Sequence, residues 1–236
     1  DHPWFEIGCL SASERSHGKS YREATAKAAF FREEPKAEIM DMKVLGADHV
    51  DPRDYDVAFS ALPTEIAKVQ EAKFAKHIPV ISTASAYRYE TDTPVLLPDV
   101  NPSHIGMIEG QRANRGWNGY VVPGPNCTTI GLVSTLKPLL DEYGVDVVSM
   151  VSMQSLSGAG EKGLRADSEY RINALKNVIP LIGGEEEKVL METNKILGDM
   201  VGGKLIDASI NIPSPCTRVD VKIVHTEAIH LGLGKA

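Results

Sequence analysis

Cysteine is scarce in this chain: among 236 residues there are three, Cys9, Cys127 and Cys216. An odd number at wide spacing excludes a disulfide framework, offers no zinc-ligand cluster and fits a reducing, cytoplasmic compartment. No apolar run approaches the length of a membrane span, and no signal-peptide pattern opens the sequence. Basic runs are missing as well: 25 Lys and Arg stand against 32 Asp and Glu, for a net charge of −7. A nucleic-acid backbone is therefore not an expected partner. There is no initiator methionine, and Asp1-His2-Pro3-Trp4-Phe5 leads almost directly into a strand-like stretch. Residues 230–236 stop straight after another, so both ends read as cut, and the chain as a piece of a longer protein. What is present, 42% apolar residues, suffices for one large core or two modest ones.

The stretch around which the rest is organised is Pro123-Gly124-Pro125-Asn126-Cys127-Thr128-Thr129-Ile130-Gly131. Residues 119–122 before it are short and apolar, as a buried strand is. After it Ile130, Leu132, Val133, Leu136, Leu139 and Leu140 recur at helical spacing. Two prolines and a glycine force a tight turn between strand and helix. Cys127 then sits at a helix N-terminus, where unpaired N–H groups and the helix dipole favour an anion, and a thiol held there is expected to lose its proton more readily. The alternative is a small residue filling the turn, with Asn126 as an ordinary N-cap.

In chain order, residues 5–11 read as a short strand closing on Ser11-Ala12-Ser13-Glu14-Arg15-Ser16-His17-Gly18-Lys19. An arginine among hydroxyls in the loop after a strand of a nucleotide-binding unit suits the 2′-phosphate of NADP. The acid Glu14 in the same run leaves a plain solvated loop as the other reading. Residues 20–50 are mixed and charged and specify little. Residues 55–62 form a central strand, 65–76 an amphipathic helix and 79–85 the next strand, a βαβ crossover and so a parallel sheet. Ligands gather beyond the carboxyl ends of such strands, which places Ala61-Leu62-Pro63 and Ser85-Ala86-Tyr87-Arg88 at the rim of one crevice. Arg88 is there either to hold a phosphate or carboxylate or as a surface arginine. Residues 94–100 bring the chain back across, and 103–115 form a helix in which His104 has no assigned part.

Residues 145–154 are a long strand of a second sheet, running into Ser155-Leu156-Ser157-Gly158-Ala159-Gly160, a turn whose glycines allow backbone to approach a ligand. Helical patterns follow at 163–178 and 185–197. Glu185 and Lys188 share a face of the second, which by itself reads as a solvated ion pair. A strand at 208–212 is broken by Pro213 and Pro215, and the last begins near Arg218. His225, seven positions on, falls on the opposite face from Arg218 in a continuous strand, so their convergence requires a turn or bulge.

Together these pieces resemble aspartate-semialdehyde dehydrogenase, closest to its archaeal-type branch. The resemblance runs through Pro125-Asn126-Cys127-Thr128-Thr129 and Met153-Gln154-Ser155-Leu156-Ser157-Gly158-Ala159-Gly160. It continues in Glu185-Glu186-Glu187-Lys188, Glu192-Thr193-Asn194-Lys195-Ile196-Leu197 and Cys216-Thr217-Arg218-Val219 with His225. Before the cysteine, residues 13–19 and Ser85-Ala86-Tyr87-Arg88 match too. The resemblance implies an α/β protein: a Rossmann-like NADP-binding domain over residues 1–126, and an α+β catalytic and dimerisation domain over 127–236, the fold shared with glyceraldehyde-3-phosphate dehydrogenase. It implies reduction of L-aspartyl 4-phosphate to the semialdehyde with NADPH, in aspartate-family amino-acid biosynthesis, by a cytoplasmic homodimer or homotetramer.

By the same resemblance Cys127 is the thiolate that forms a thioester, His225 its acid/base and Gln154 the group that orients the acyl. Arg218 clamps the α-carboxylate and Glu185 meets the ammonium. Arg88, Lys188 and Asn126 hold the leaving phosphate. Ser13, Arg15 and Ser16 meet the 2′-phosphate of NADP, while Ser157 and Gly158 flank the cofactor and thioester. One acid, one arginine and two further cations match the three charges of the substrate. The family's glycine-rich pyrophosphate turn and its C-terminal portion are not among the 236 residues. Val224 stands where the family has a glycine before the histidine, so either the backbone there takes a different path or residues 222–224 join segments that are not contiguous in the natural protein. The competing readings are a malonyl-CoA reductase-like or N-acetyl-glutamyl-phosphate reductase-like acyl reductase, neither of which needs an ammonium-binding acid, and a non-catalytic remnant.

Overall fold

Strand-forming sequence is thin near the N-terminus, and the computed structural model uses three residues of it. β1 (Leu10–Ala12) pairs in parallel with β2 (Val44–Gly46), Leu10 opposite Val44. Between them lie α1 (Tyr21–Thr25), opened by a reciprocal Ser20–Glu23 capping box, and α2 (Ala37–Met40). The structure describes residues 2–26 and 35–235; residues 27–34, inside the charged stretch that specified little, lie outside them. The chain divides into two compact units, Asp1–Ala58 and Phe59–Ala236. The strand expected at 5–11 forms later and shorter, because residues 6–9 make no ladder and pairing begins at Leu10.

β3 (Ala58–Ser60), at the join of the two units, leads into α3 (Thr64–Ala75), β4 (Pro79–Ser82), α4 (Met107–Arg115) and β5 (Tyr120–Pro123). The sheet order is β3-β4-β5, with β4 and β5 parallel and Val80 opposite Val121. The strand–helix–strand order read from the sequence is present, with β4 beside β3 in the sheet. Residues 94–100 cross without forming a strand, and the helix expected from 103 starts as a 3-10 turn, Pro102–Gly106. His104 is a satisfied core histidine: Nδ1 meets Asn101 Nδ2 at 2.9 Å and Nε2 meets the Gly198 carbonyl at 3.0 Å.

α5 (Cys127–Tyr143) follows the turn and feeds β6 (Val145–Gln154). Next come α6 (Glu161–Leu164), α7 (Glu169–Ala174), β7 (Val178–Ile179) and α8 (Glu185–Ile196). The hairpin β8 (Asp199–Val201) with β9 (Lys204–Ile206) precedes β10 (Cys216–Val219) and β11 (Thr226–Leu233). The second sheet has order β11-β6-β10-β7, with β10 parallel and β11 antiparallel to β6. Its core interdigitates Leu132, Val133 and Leu136 of α5 with Val148 and Met150 of β6 and Val189 and Ile196 of α8. Each such buried side chain stabilises the fold by roughly 1.5–3 kcal/mol. β6 alternates as a half-covered strand does: Val148, Met150, Ser152 and Gln154 are buried, while Val147 and Val151 stand exposed on the other face. Among the described residues no helix is long and apolar enough to cross a membrane. Residues 208–212 carry no ladder. The helix expected at 163–178 is two short ones, parted by a turn at Ala166 and Asp167.

Glu227 of β11 packs against α5 opposite Gly131, where an added Cβ would fall 2.9 Å from its carboxylate oxygen. Burial raises its pKa to about 7. The unfolded carboxyl ionises near its ordinary 4.5 while the folded one keeps its proton up to about 7, so stability falls as pH rises across that window and is level above it. Glu227→Gln is expected to raise stability at pH 8 by about 1–2 kcal/mol, a figure reduced for partial exposure, and to do nothing comparable at pH 4.5. Thermal melts at the two pH values check this; an equal shift at both contradicts it.

Candidate active site

The site forms where the carboxyl end of β6 meets the start of α5. Pro123 ends β5 and Pro125 has no N–H to give, so the chain turns out of the sheet. Asn126 then caps α5, its Oδ1 accepting from the N–H groups of Thr128 at 2.9 Å and Thr129 at 3.3 Å. Cys127 is the first helical residue and its side chain is exposed. Both readings of the turn therefore hold together: Asn126 is the cap, and the cap presents the thiol.

β10 and β11 flank β6 on opposite sides, so the turn required between Arg218 and His225 is present, spanning residues 220–225. Arg218 lies opposite Gln154, and Thr226, next after His225, lies opposite Met153. His225 Nε2 is 3.2 Å from Cys127 Sγ. At Nδ1 the ring receives the Ser155 N–H at 3.1 Å, which favours the tautomer with its proton on Nε2, aimed at the sulfur. Ser155 Oγ, also 3.1 Å away, is an acceptor for an Nδ1 proton, so Ser155 serves the ring in either tautomer. Burial and the Arg218 guanidinium hold the His225 pKa below its ordinary value, outweighing Glu185.

Cys127 departs from expectation. Although the residue reaches solvent, the protein packed around its sulfur partly desolvates it, and this, followed by the Glu185 carboxylate, pushes the thiol up; the hydrogen bonds from Thr128 at the helix N-terminus do not offset them. The resting site therefore favours a neutral thiol beside a neutral imidazole.

Gln154 gives its amide to Thr128 Oγ1 at 2.8 Å. Arg218 is buried and aimed by two bonds, Nη1 to the Ser155 carbonyl at 2.6 Å and Nε to the Tyr170 hydroxyl at 3.1 Å. Asn126 Nδ2 donates to Glu185, and Lys188 Nζ lies 3.4 Å from the other oxygen of Glu185. The Glu185–Lys188 pair is not the solvated one that spacing alone suggests, because Glu185 is 7% exposed. Gly158 must lack a side chain: a Cβ there would meet Arg218 Nη1 at 2.7 Å and His225 Cε1 at 2.9 Å. Ser157 Oγ lies 3.0 Å from Ser155 Oγ.

Arg88 is buried, neither at the surface nor open to a ligand on its three bonded nitrogens. Nε, Nη1 and Nη2 go to the Gly124 carbonyl, Glu192 and the Thr83 carbonyl at 2.9, 3.1 and 2.8 Å. Glu192, quoted above only within a run that carries the resemblance, and Tyr170 were given no role from the sequence. For Glu192 the signal was its place seven residues, two helical turns, beyond Glu185 on the same face of α8; for Tyr170 no local pattern exists. In the first unit, Ser13 stands at the N-cap of the 3-10 turn after β1, and Arg15 and Ser16 lie in it. Glu14 is turned to His49, 3.7 Å from its Nε2, and among the described residues no ion pair engages Arg15. Among the described residues no group of His, Cys, Asp and Glu is arranged to hold a metal ion.

Val224 adopts a backbone conformation that favours glycine. Its φ of 79° lies in the left-handed region, so the chain follows the path a glycine takes, with a β-branched residue bearing the strain. Such strain costs about 1–3 kcal/mol. With the side chain largely exposed, little packing is lost on its removal. Val224→Gly is expected to raise Tm by about 2–4 °C for each kcal/mol relieved, with no loss of activity. A lowered Tm in a thermal melt contradicts this.

The two domain models of the semialdehyde dehydrogenase family match the chain in order, and the chain belongs to that family. Residues 1–108 match the description "Semialdehyde dehydrogenase, NAD binding domain" and residues 136–236 "Semialdehyde dehydrogenase, dimerisation domain". The chain is 46% identical over 231 residues to an aspartate-semialdehyde dehydrogenase of Archaeoglobus fulgidus, covering 97% of this chain and 64% of that protein. The crystal structure of the Candida albicans aspartate-semialdehyde dehydrogenase with NADP superposes with a TM-score of 0.84 at 33% identity, over 98% of this chain and 65% of that one. Aspartate-semialdehyde dehydrogenase II of Vibrio cholerae, complexed with ASA, gives 0.73 at 27% identity, over 96% of this chain and 66% of that one. The chain thus spans slightly less than two thirds of the length of these relatives.

Proposed function

We propose that the protein reduces L-aspartyl 4-phosphate to aspartate semialdehyde with NADPH through a thioester on Cys127. The observation that carries this is the 3.2 Å contact of Cys127 Sγ with His225 Nε2, beside a buried acid and a buried arginine. The step runs from the other tautomer: with Nδ1–H received by Ser155 Oγ, Nε2 of His225 is free to take the thiol proton. The thiolate attacks the acyl carbon; the C–S bond forms, the bond from carbon to the phosphate oxygen breaks, and phosphate leaves with the electron pair. NADPH, when bound, supplies the hydride that takes the thioester to the aldehyde level. His225 Nε2–H holds the oxyanion and returns the proton to Sγ as the C–S bond breaks. Gln154 orients the acyl group, and the donors Arg218 has left after Ser155 and Tyr170 take the α-carboxylate. Glu185 takes the ammonium, while Lys188 and Asn126 take the phosphate.

Arg15, unpaired among the described residues and flanked by Ser13 and Ser16, fits the 2′-phosphate of NADP, and the side-chain-free surface at Gly158 with Ser157 fits a flat group laid against it. We place the functional division between Asn126 and Cys127. A second copy of this chain is proposed to cover the exposed β6–β11 face around Val147 and Val151, in a cytoplasmic homodimer or homotetramer. The test is NADP reduction by the full-length natural protein with aspartate semialdehyde, with and without phosphate, against malonate semialdehyde with CoA. Phosphate-dependent turnover of the first supports the reading. Turnover of the second alone replaces it with the CoA-thioester one.

A further inference from the structure

We infer that Glu192 is a positioning residue for the nucleophile, acting with Arg88 as a buried clamp on the turn that carries Cys127; this rests on the reading of Cys127 as nucleophile. α8 turns one face, with Glu185, Lys188, Glu192 and Lys195 at helical spacing, toward the loops that follow β4 and β5. Glu192 is 1% exposed, and among the described residues the hydrogen bonds of its carboxylate come from those loops. Its Oε1 accepts from Arg88 Nη1 at 3.1 Å and from the Tyr89 hydroxyl at 3.0 Å, and its Oε2 accepts the backbone N–H of Asn126 at 2.6 Å. Arg88 in turn gives Nε to the Gly124 carbonyl at 2.9 Å.

Pro125 has no N–H, so the Gly124 carbonyl and the Asn126 N–H are the backbone handles on either side of it. One ion pair holds both. Lys195 fixes the far side, its Nζ giving 2.7 Å bonds to the carbonyls of Arg88 and Glu90. Asn126 is also the α5 cap. A shift of its nitrogen therefore moves the helix start and the distance from Sγ to Nε2, which a proton transfer requires to be held within about 0.5 Å. The carboxylate matters as an ion, because all three of its partners are donors and a neutral amide cannot accept from each without turning an N–H toward one of them.

The test is Glu192→Gln in the full-length protein, with Glu192→Asp as a second variant that keeps the charge but shortens the reach. Alkylation of Cys127 by iodoacetamide is followed against pH, alongside kcat and KM for phosphate. The expected result is a fall in kcat of about 10–100-fold with KM for phosphate altered less than threefold, and an alkylation profile displaced from the parent's. Glu192→Asp is expected to show the same changes in smaller degree. A variant that melts lower, yet whose folded fraction keeps the parent kcat and the parent alkylation profile, overturns the inference and leaves Glu192 merely structural. A many-fold rise in KM with kcat unchanged overturns it too, assigning Arg88 to the phosphate. Alkylation needs no substrate, so this readout stands even if the aspartyl reading fails.

Discussion

Cys127→Ser is expected to abolish turnover, by about 10⁴-fold or more, while leaving Tm and the secondary structure unchanged. Oγ replaces Sγ at nearly the same volume on an exposed side chain at the first position of α5, so folding is not at stake. The chemistry is. A serine hydroxyl holds its proton far more tightly than a thiol, and the adjacent base is weak, because burial and Arg218 keep His225 below its ordinary pKa. The second half-reaction fails as well, since carbon must expel the residue's heteroatom, and an alkoxide leaves far less readily than a thiolate. Residual activity within tenfold of the parent, measured as steady-state NADP reduction, contradicts the role given to this residue.

His225→Gln is the second large effect. Glutamine can place an N–H donor near Sγ but cannot move a proton, so it separates hydrogen bonding from acid/base work. The expected loss in kcat is about 10²–10⁴-fold. The parent is expected to show an acid limb in kcat/KM below pH 6.5, the side to which the histidine pKa is displaced, as the imidazolium accumulates. Below that pKa both ring nitrogens carry protons, and Nε2 can no longer take the thiol proton. The limb is expected to vanish in the variant. A pH–rate profile in which it persists assigns the titration to another group.

The sequence carried much of this site because its parts are local. The proline–glycine turn placed Cys127 at a helix start, and the long alternating strand at 145–154 put Gln154 at its end. The resemblance joined these with Glu185, Arg218 and His225, which the fold brings to one place. Backbone partners were not legible. Ser155 acts on His225 through its N–H, and Arg218 is aimed by a carbonyl and by Tyr170 from another element. The burial of Arg88 depends on Glu192, 104 positions away. The direction of the thiol's shift also depended on tertiary structure: a helix N-terminus alone lowers it, whereas burial with Glu185 alongside raises it. Short strands such as β1 and β3 came out trimmed because pairing, rather than propensity, sets their ends.

The most direct test of the central claim is a single-turnover experiment without phosphate. The full-length protein is mixed with aspartate semialdehyde and NADP, and NADPH formation is followed, with acid quenching and peptide mapping. A burst of about one NADPH per active site is expected, after which the reaction stalls with an aspartyl thioester on the Cys127 peptide that added phosphate releases. Continued turnover without phosphate, or an acyl group on any other residue, contradicts the claim.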